Sequence, residues 1–173
     1  ATWESEGQFY RDYTPFLDPN GLRGARIGVM RAGVTGYSPE TDAVYEDALE
    51  ALSDGGATLV DPADFPTDVM DEINSGDAEI TVLRYEFKRD LNAYLATRTG
   101  IPVHTLAETI AFNEAHADRE LKWFGQELFE LAEADLFDDA TYQAALARER
   151  ELGGALGIDA ALATYNVDAL VAP

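Results

Sequence analysis

The feature that most constrains the fold is a succession of three segments: ARIGVMR (25–31), SPETDAVYEDALEALSDGG (38–56) and ATLVDPA (57–63). The outer two have the near-continuous apolar character of strands buried in a parallel sheet, and the acidic segment between them has helical spacing. Ser38 stands where an N-cap belongs, Pro39 at the first helical position, and Gly55–Gly56 at the close. Val44, Ala48, Leu49 and Leu52 are predicted to share the buried face. Two strands joined by such a helix run parallel with a right-handed crossover, so residues 25–63 form a β-α-β unit. The fold class is therefore α/β.

Beyond residue 63 the pattern is mostly helical. Residues 77–100 place Leu83, Phe87, Leu91 and Tyr94 on one stripe and end at Gly100. Thr105 and Glu108 have the T-x-x-E spacing of a capping box. A break at Gly125 precedes a helix beginning near Glu127, and Asp138 or Asp139 is placed to cap a long helix reaching Asn166. Gly153, Gly154 and Gly157 either interrupt that helix or mark close packing. VDALVAP (167–173) returns to strand character. The expectation is a lead-in over 1–24 and one α/β domain over 25–173, helix-dominated, with too few strands to complete a sheet alone.

Charge sets limits on partners. The 173 residues carry 33 Asp and Glu against 12 Lys and Arg, a net charge of -21, so a phosphate backbone would be repelled and no nucleic-acid partner is expected. A hydrophobic fraction of 46% is that of a globular protein, which places the acid excess on a solvated surface. The absence of cysteine removes thiolate catalysis and Cys-based metal sites. No apolar run approaches the roughly 20 residues of a membrane span, and cytoplasm is the default location.

Motifs that carry chemistry are sparse. His104 and His116 lack H-E-x-x-H spacing, so no metal is expected and both read as surface or capping residues. Gly33 and Gly36 fit neither a dinucleotide fingerprint nor a P-loop, and no cofactor is expected. Ser5, Ser38, Ser53 and Ser75 lie outside any G-x-S-x-G elbow. No catalytic residue is assigned.

Three stretches in order resemble the amidase signature family, in particular its peptide-amidase-like and amidotransferase A-subunit-like members. They are FLDPNGLRGARIGVMR with GGATLVDPADFP, then FKRDLNAYLA with TLAETIAFNEAHADRELKWFGQELFE, then GIDAALATYNVDALVAP. The resemblance runs from about Tyr13 to Pro173. It implies a mixed-sheet α/β fold and acyl transfer from amides by a serine, assisted by a second serine and a lysine in a Gly/Ser-rich signature upstream of LRGARIGV. That signature has no counterpart here, and Lys88 and Lys122 have no serine neighbour in sequence. The chain thus reads as a C-terminal portion of an amidase, itself non-catalytic, whose partners are the remainder of the enzyme's chain and a small-molecule or peptide amide.

Within that reading, KWFGQELF (122–129) is the candidate wall of a substrate funnel, with Phe124 and Gln126 as substrate-binding residues and Trp123 and Phe129 adding apolar surface. The competing reading puts Phe124, Leu128 and Leu131 in a helix core and Gln126 in solvent. Uncovered sheet edges would favour homo-oligomers. The alternative for the whole chain is a self-standing acidic α/β binding or interaction module.

Overall fold

The computed structural model describes residues 5–173, which divide into two compact units, 5–65 with 158–173, and 66–157. In the first unit a 3-10 turn at Thr14–Phe16 precedes β1 (Arg26–Val29), α1 (Pro39–Asp54) and β2 (Thr58–Val60); α8 (Asp159–Tyr165) and β3 (Ala169–Val171) complete it. The strands form one parallel sheet in the order β2-β1-β3. Ile27 pairs with Leu59 on one side and with Ala169 on the other. The β-α-β unit and the returning terminal strand are thus as the apolar runs predict.

Gly28 in the middle of β1 has a spatial reason. A Cβ there would lie 2.7 Å from Leu170 Cδ2 and 2.9 Å from Ala63 Cβ, so the neighbouring segments close directly onto the strand backbone. Helix α1 begins as expected, with Ser38 Oγ accepting from the Thr41 amide at 3.2 Å. It ends in a Schellman arrangement: the Gly56 amide donates to Ser53 O and the Ala57 amide to Leu52 O, with Gly56 at φ +98° where only glycine is unstrained.

The buried face of α1 is displaced from the predicted one. Val44 is 68% exposed and Ala48 is also in solvent, whereas Tyr45 and Leu49 pack with Val29, Leu52, Leu59 and Val171. The reason is polar as well as apolar. The Tyr45 hydroxyl is shared between Val171 O at 2.8 Å and Met30 O at 3.2 Å, which turns the helix one position toward the tyrosine. Two carboxylates pin the neighbouring loops. Asp168 accepts from the Arg26 amide at 2.8 Å, and Asp64 accepts from the Arg31 and Ala32 amides at 2.6 and 2.8 Å.

The second unit is helical: α2 (Thr67–Ser75), α3 (Asp77–Ala96), α4 (Leu106–Ala115), α5 (Ala117–Glu120), α6 (Glu127–Ala134) and α7 (Asp139–Gly153). Helix α3 is its centre. Tyr85 stacks on Tyr142 of α7, centroids 4.3 Å apart, and Phe87 packs on Phe129 of α6 at 5.1 Å. Being covered from two directions, α3 does not bury the single predicted stripe: Leu83 and Tyr94 are exposed, while Val82 and Leu95 are buried. Thr105 caps α4 through the Glu108 amide, but Glu108 reaches back to the amide of His104 rather than to that of the cap itself. Asp138 caps α7 by accepting from the Thr141 amide at 2.8 Å.

The long helix predicted from Asp139 to Asn166 is three pieces. α7 passes into a π-helical turn at Gly154–Ile158 and then into α8, which Asn166 ends at φ 50°. Cβ atoms at Gly153 and Gly154 would meet nothing within 4 Å, so those glycines loosen the helix and do not serve close packing. Among the described residues no helix is long and apolar enough to cross a membrane.

Tyr45→Phe removes one buried hydroxyl and leaves Met30 O without that donor. A loss of about 1 kcal/mol in urea unfolding is expected, with unchanged m-value.

Candidate functional site

In the helical unit several exposed apolar side chains, among them Ile80, Leu83 and Leu128, share a surface. A groove of about 260 Å³ lies between α3 and α6, lined by Ile80, Leu83, Phe87, Leu128, Phe129 and Ala132. Arg84 borders it, reaching Asp135 at 3.3 Å, and its Nε is a buried side-chain atom without a hydrogen-bond partner among the described residues. A second cleft of about 330 Å³ shares Leu128 and Phe129 with the groove and extends to Asn113, Glu120, Leu121 and the turn at Phe124–Gln126.

The two expected substrate-binding residues therefore line one cleft but occupy different environments. Phe124 is 81% exposed, as is its neighbour Trp123, while Gln126 is only 8% exposed. The Gln126 Oε1 accepts from Asn113 Nδ2 at 3.0 Å and its Nε2 donates to Ile110 O at 3.3 Å. That buried amide ties the start of α6 to α4. The helix-core alternative does not describe this segment: Phe124, Leu128 and Leu131 are exposed and Gln126 is not in solvent. The non-helical stretch between α5, which ends at Glu120, and α6, which begins only at Glu127, removes the helical register on which that alternative rests.

The other groups singled out in the sequence are engaged locally. His104 Nδ1 lies 3.4 Å from Leu95 O, and His116, the cap residue between α4 and α5, stacks on Phe112 with Nδ1 2.8 Å from Phe112 O. Lys88 Nζ donates to Glu133 O at 2.5 Å and pairs with the Glu133 carboxylate, and Lys122 lies over the Trp123 ring at 4.8 Å. The Ser75 hydroxyl donates to Glu72 O. No group of three His, Cys, Asp or Glu among the described residues is placed to hold a metal.

A different location, the carboxyl ends of the parallel strands, is where open α/β sheets usually bind ligands. Here Arg31 fills it. Its guanidinium is gripped by Asp61, at 2.6 Å, and by Glu46, and its hydrogen bond holds the Asp61 carboxyl below the usual range. The charges satisfy one another, which makes this a clamp between β1, α1 and the segment after β2.

No family model matches the chain, and the known proteins it is similar to are amidases. A probable amidase of Arabidopsis thaliana is 31% identical over 160 residues, 92% of this chain. The crystal structure of native peptide amidase from Stenotrophomonas maltophilia is 43% identical over 94% of the chain, with a TM-score of 0.77. The chain is homologous to a segment of amidases, as a portion of an amidase signature protein would be. An amidase family protein from Bacillus anthracis aligns over 98% of the chain with 29% identity and a TM-score of 0.78.

The α/β, helix-rich architecture with its small parallel sheet thus matches a segment of the peptide amidase fold. The chain spans about 30% of the Arabidopsis relative and 32% of each of the two solved chains. What residue patterns alone missed is the groove of α3 and α6. Ile80 and Leu83 have ordinary helical spacing, and nothing in that spacing distinguishes a face turned to solvent from one turned to a neighbour.

Two measurements probe this unit. Gln126→Leu strands Ile110 O and the Asn113 amide, and is expected to cost about 1–3 kcal/mol in chemical unfolding. Glu149 is held above its usual value by burial first and then by Glu79 and Glu86, so its charged form opposes folding. Glu149→Gln should raise the Tm at neutral pH, and the gain should disappear as pH falls below the unfolded value of 4.5.

Proposed function

We propose that the full-length protein hydrolyses carboxamide C–N bonds. These 173 residues supply scaffold and one wall of the substrate approach, and the nucleophile comes from chain outside them. The observation that carries the reading is the 43% identity with a peptide amidase over 94% of this chain, at a TM-score of 0.77. The substrate class it favours is a peptide amide.

The disposition of the lysines and serines supports placing the chemistry elsewhere. In the family a lysine assists a serine, whereas Lys88 is bound to Glu133 and Lys122 rests on Trp123. Ser38 and Ser75 are occupied at helix ends. The wall itself is Trp123, Phe124 and Leu128, an apolar surface that would desolvate the body of an amide on its way to the reacting centre. Gln126 holds that surface from beneath. In the sheet, β2 and β3 have outer edges that the remainder of the enzyme's chain would pair with, or, in its absence, a second copy.

The test is hydrolysis of a panel of peptide and aryl amides by the full-length protein and by this chain in parallel. Turnover is expected from the full-length protein alone, and Lys88→Met and Lys122→Met should leave its kcat within about twofold. Turnover by the 173-residue chain, or loss of activity in either lysine variant with its fold intact by circular dichroism, would overturn the assignment.

A further inference from the structure

We infer that the groove between α3 and α6 is a docking site for a helix from the rest of the same polypeptide, seated with its C-terminal end against Arg84. The inference rests on the proposed function in one respect, that a longer chain supplies the helix. The length outside the structure is ample, since these residues span 32% of the two solved amidase chains and about 30% of the Arabidopsis relative.

The walls of the groove narrow its occupant. Ile80, Leu83 and Phe87 come from two turns of α3, at i, i+3 and i+7, and Leu128, Phe129 and Ala132 come from α6. Two apolar ridges of this kind leave a furrow into which the side chains of a third helix fit. Helix backbones bond internally, so the walls offer no backbone donor or acceptor. An extended segment laid there would bury its own N–H and C=O groups unpaired. A helix arrives with its backbone already satisfied.

Area decides where that helix comes from. Ile80, Leu83 and Leu128 are 39, 52 and 63% exposed. Three such side chains offer on the order of a few hundred Å². Stable association between separate molecules takes roughly 800 Å² per partner. A segment of the same chain needs less, because tethering gives it an effective concentration in the millimolar range.

Arg84, at the border of the groove, sets the direction. Its Nη1 donates to Asp135 at 3.3 Å, whereas Nε is buried without a partner and Nη2 bonds nothing among the described residues. Nε and Nη2 form the edge of a guanidinium that pairs side-on with two oxygens, and here that edge is open. An open buried donor is costly, and an acceptor brought by the occupant relieves it. The last carbonyls of a helix have no partner within it and carry the negative end of its dipole, which suits a cation.

The 173 residues contain no cysteine, so Leu83→Cys in the full-length protein gives this portion a single thiol. Maleimide labelling of that thiol, read on its peptide by mass spectrometry, should be at least about tenfold slower in native than in urea-unfolded protein. Arg84→Lys in the same background keeps a cation for Asp135 but loses the side-on edge, and should speed native labelling severalfold. Photo-leucine in place of leucine should link Leu83 or Leu128 to one segment outside these residues, in material that migrates as a single chain. Labelling as fast as in the unfolded state, protection unchanged by Arg84→Lys, links between copies or none at all, or protection seen only with a peptide amide bound would each overturn the inference. Neither readout needs turnover. Hydrolysis with an unprotected thiol sinks the docked helix alone, and a protected, linked groove without hydrolysis sinks the enzymatic reading alone.

Discussion

Because Gly28 carries no side chain, Leu170, Ala63 and Val167 close over the central strand, and the rest of the sheet-bearing unit depends on that closeness. β1 can then pair on both sides, with β2 and with β3, while the Tyr45 hydroxyl reaches across to Val171 O. The strands are only three or four residues long, too short to hold by ladder bonds alone. Side-chain anchors supplement them: Asp168 on the Arg26 amide, Asp64 on the two amides after β1, and Arg31 between Asp61 and Glu46.

The helical unit obeys a different logic. Its helices are joined by ring contacts from α3 to α6 and α7, and by single polar bonds at helix ends, such as the Leu106 amide donating to Asn92 Oδ1 at 2.7 Å. These contacts use only part of the apolar surface. Phe124, Leu128, Leu83 and Ile80 remain exposed beside two clefts, an apolar surface of the kind that marks interaction sites. Buried Gln126 gives that surface its shape, since it fixes the turn from which Phe124 projects.

Much of the fold was legible because its signals are local. The Ser38 and Asp138 caps, the Gly56 helix end and the apolar runs of the three strands each depend on a few neighbouring residues. The failures share a cause. Helical spacing puts Val44 and Ala48 inside and passes over Tyr45, because spacing cannot register a hydroxyl bond to a strand 126 residues away. The same spacing runs one helix through Gly153 and Gly154, although the glycines hint at a break. Of the site, Phe124 and Gln126 were legible only as a pair beside a break in helical pattern.

Residue type and order were enough for the class of the chain: parallel strands with a helical crossover, no thiol chemistry, an acidic surface and kinship with amidases. Those properties need no distant partner to express them. The folded contacts were required to choose which face of α1 is buried, to make Gln126 a buried tie while Phe124 stands in solvent, and to bring Glu120 and Glu127 to one cleft. Such outcomes depend on segments far apart in the chain, where a single hydrogen bond or the space left by one glycine outweighs local preference.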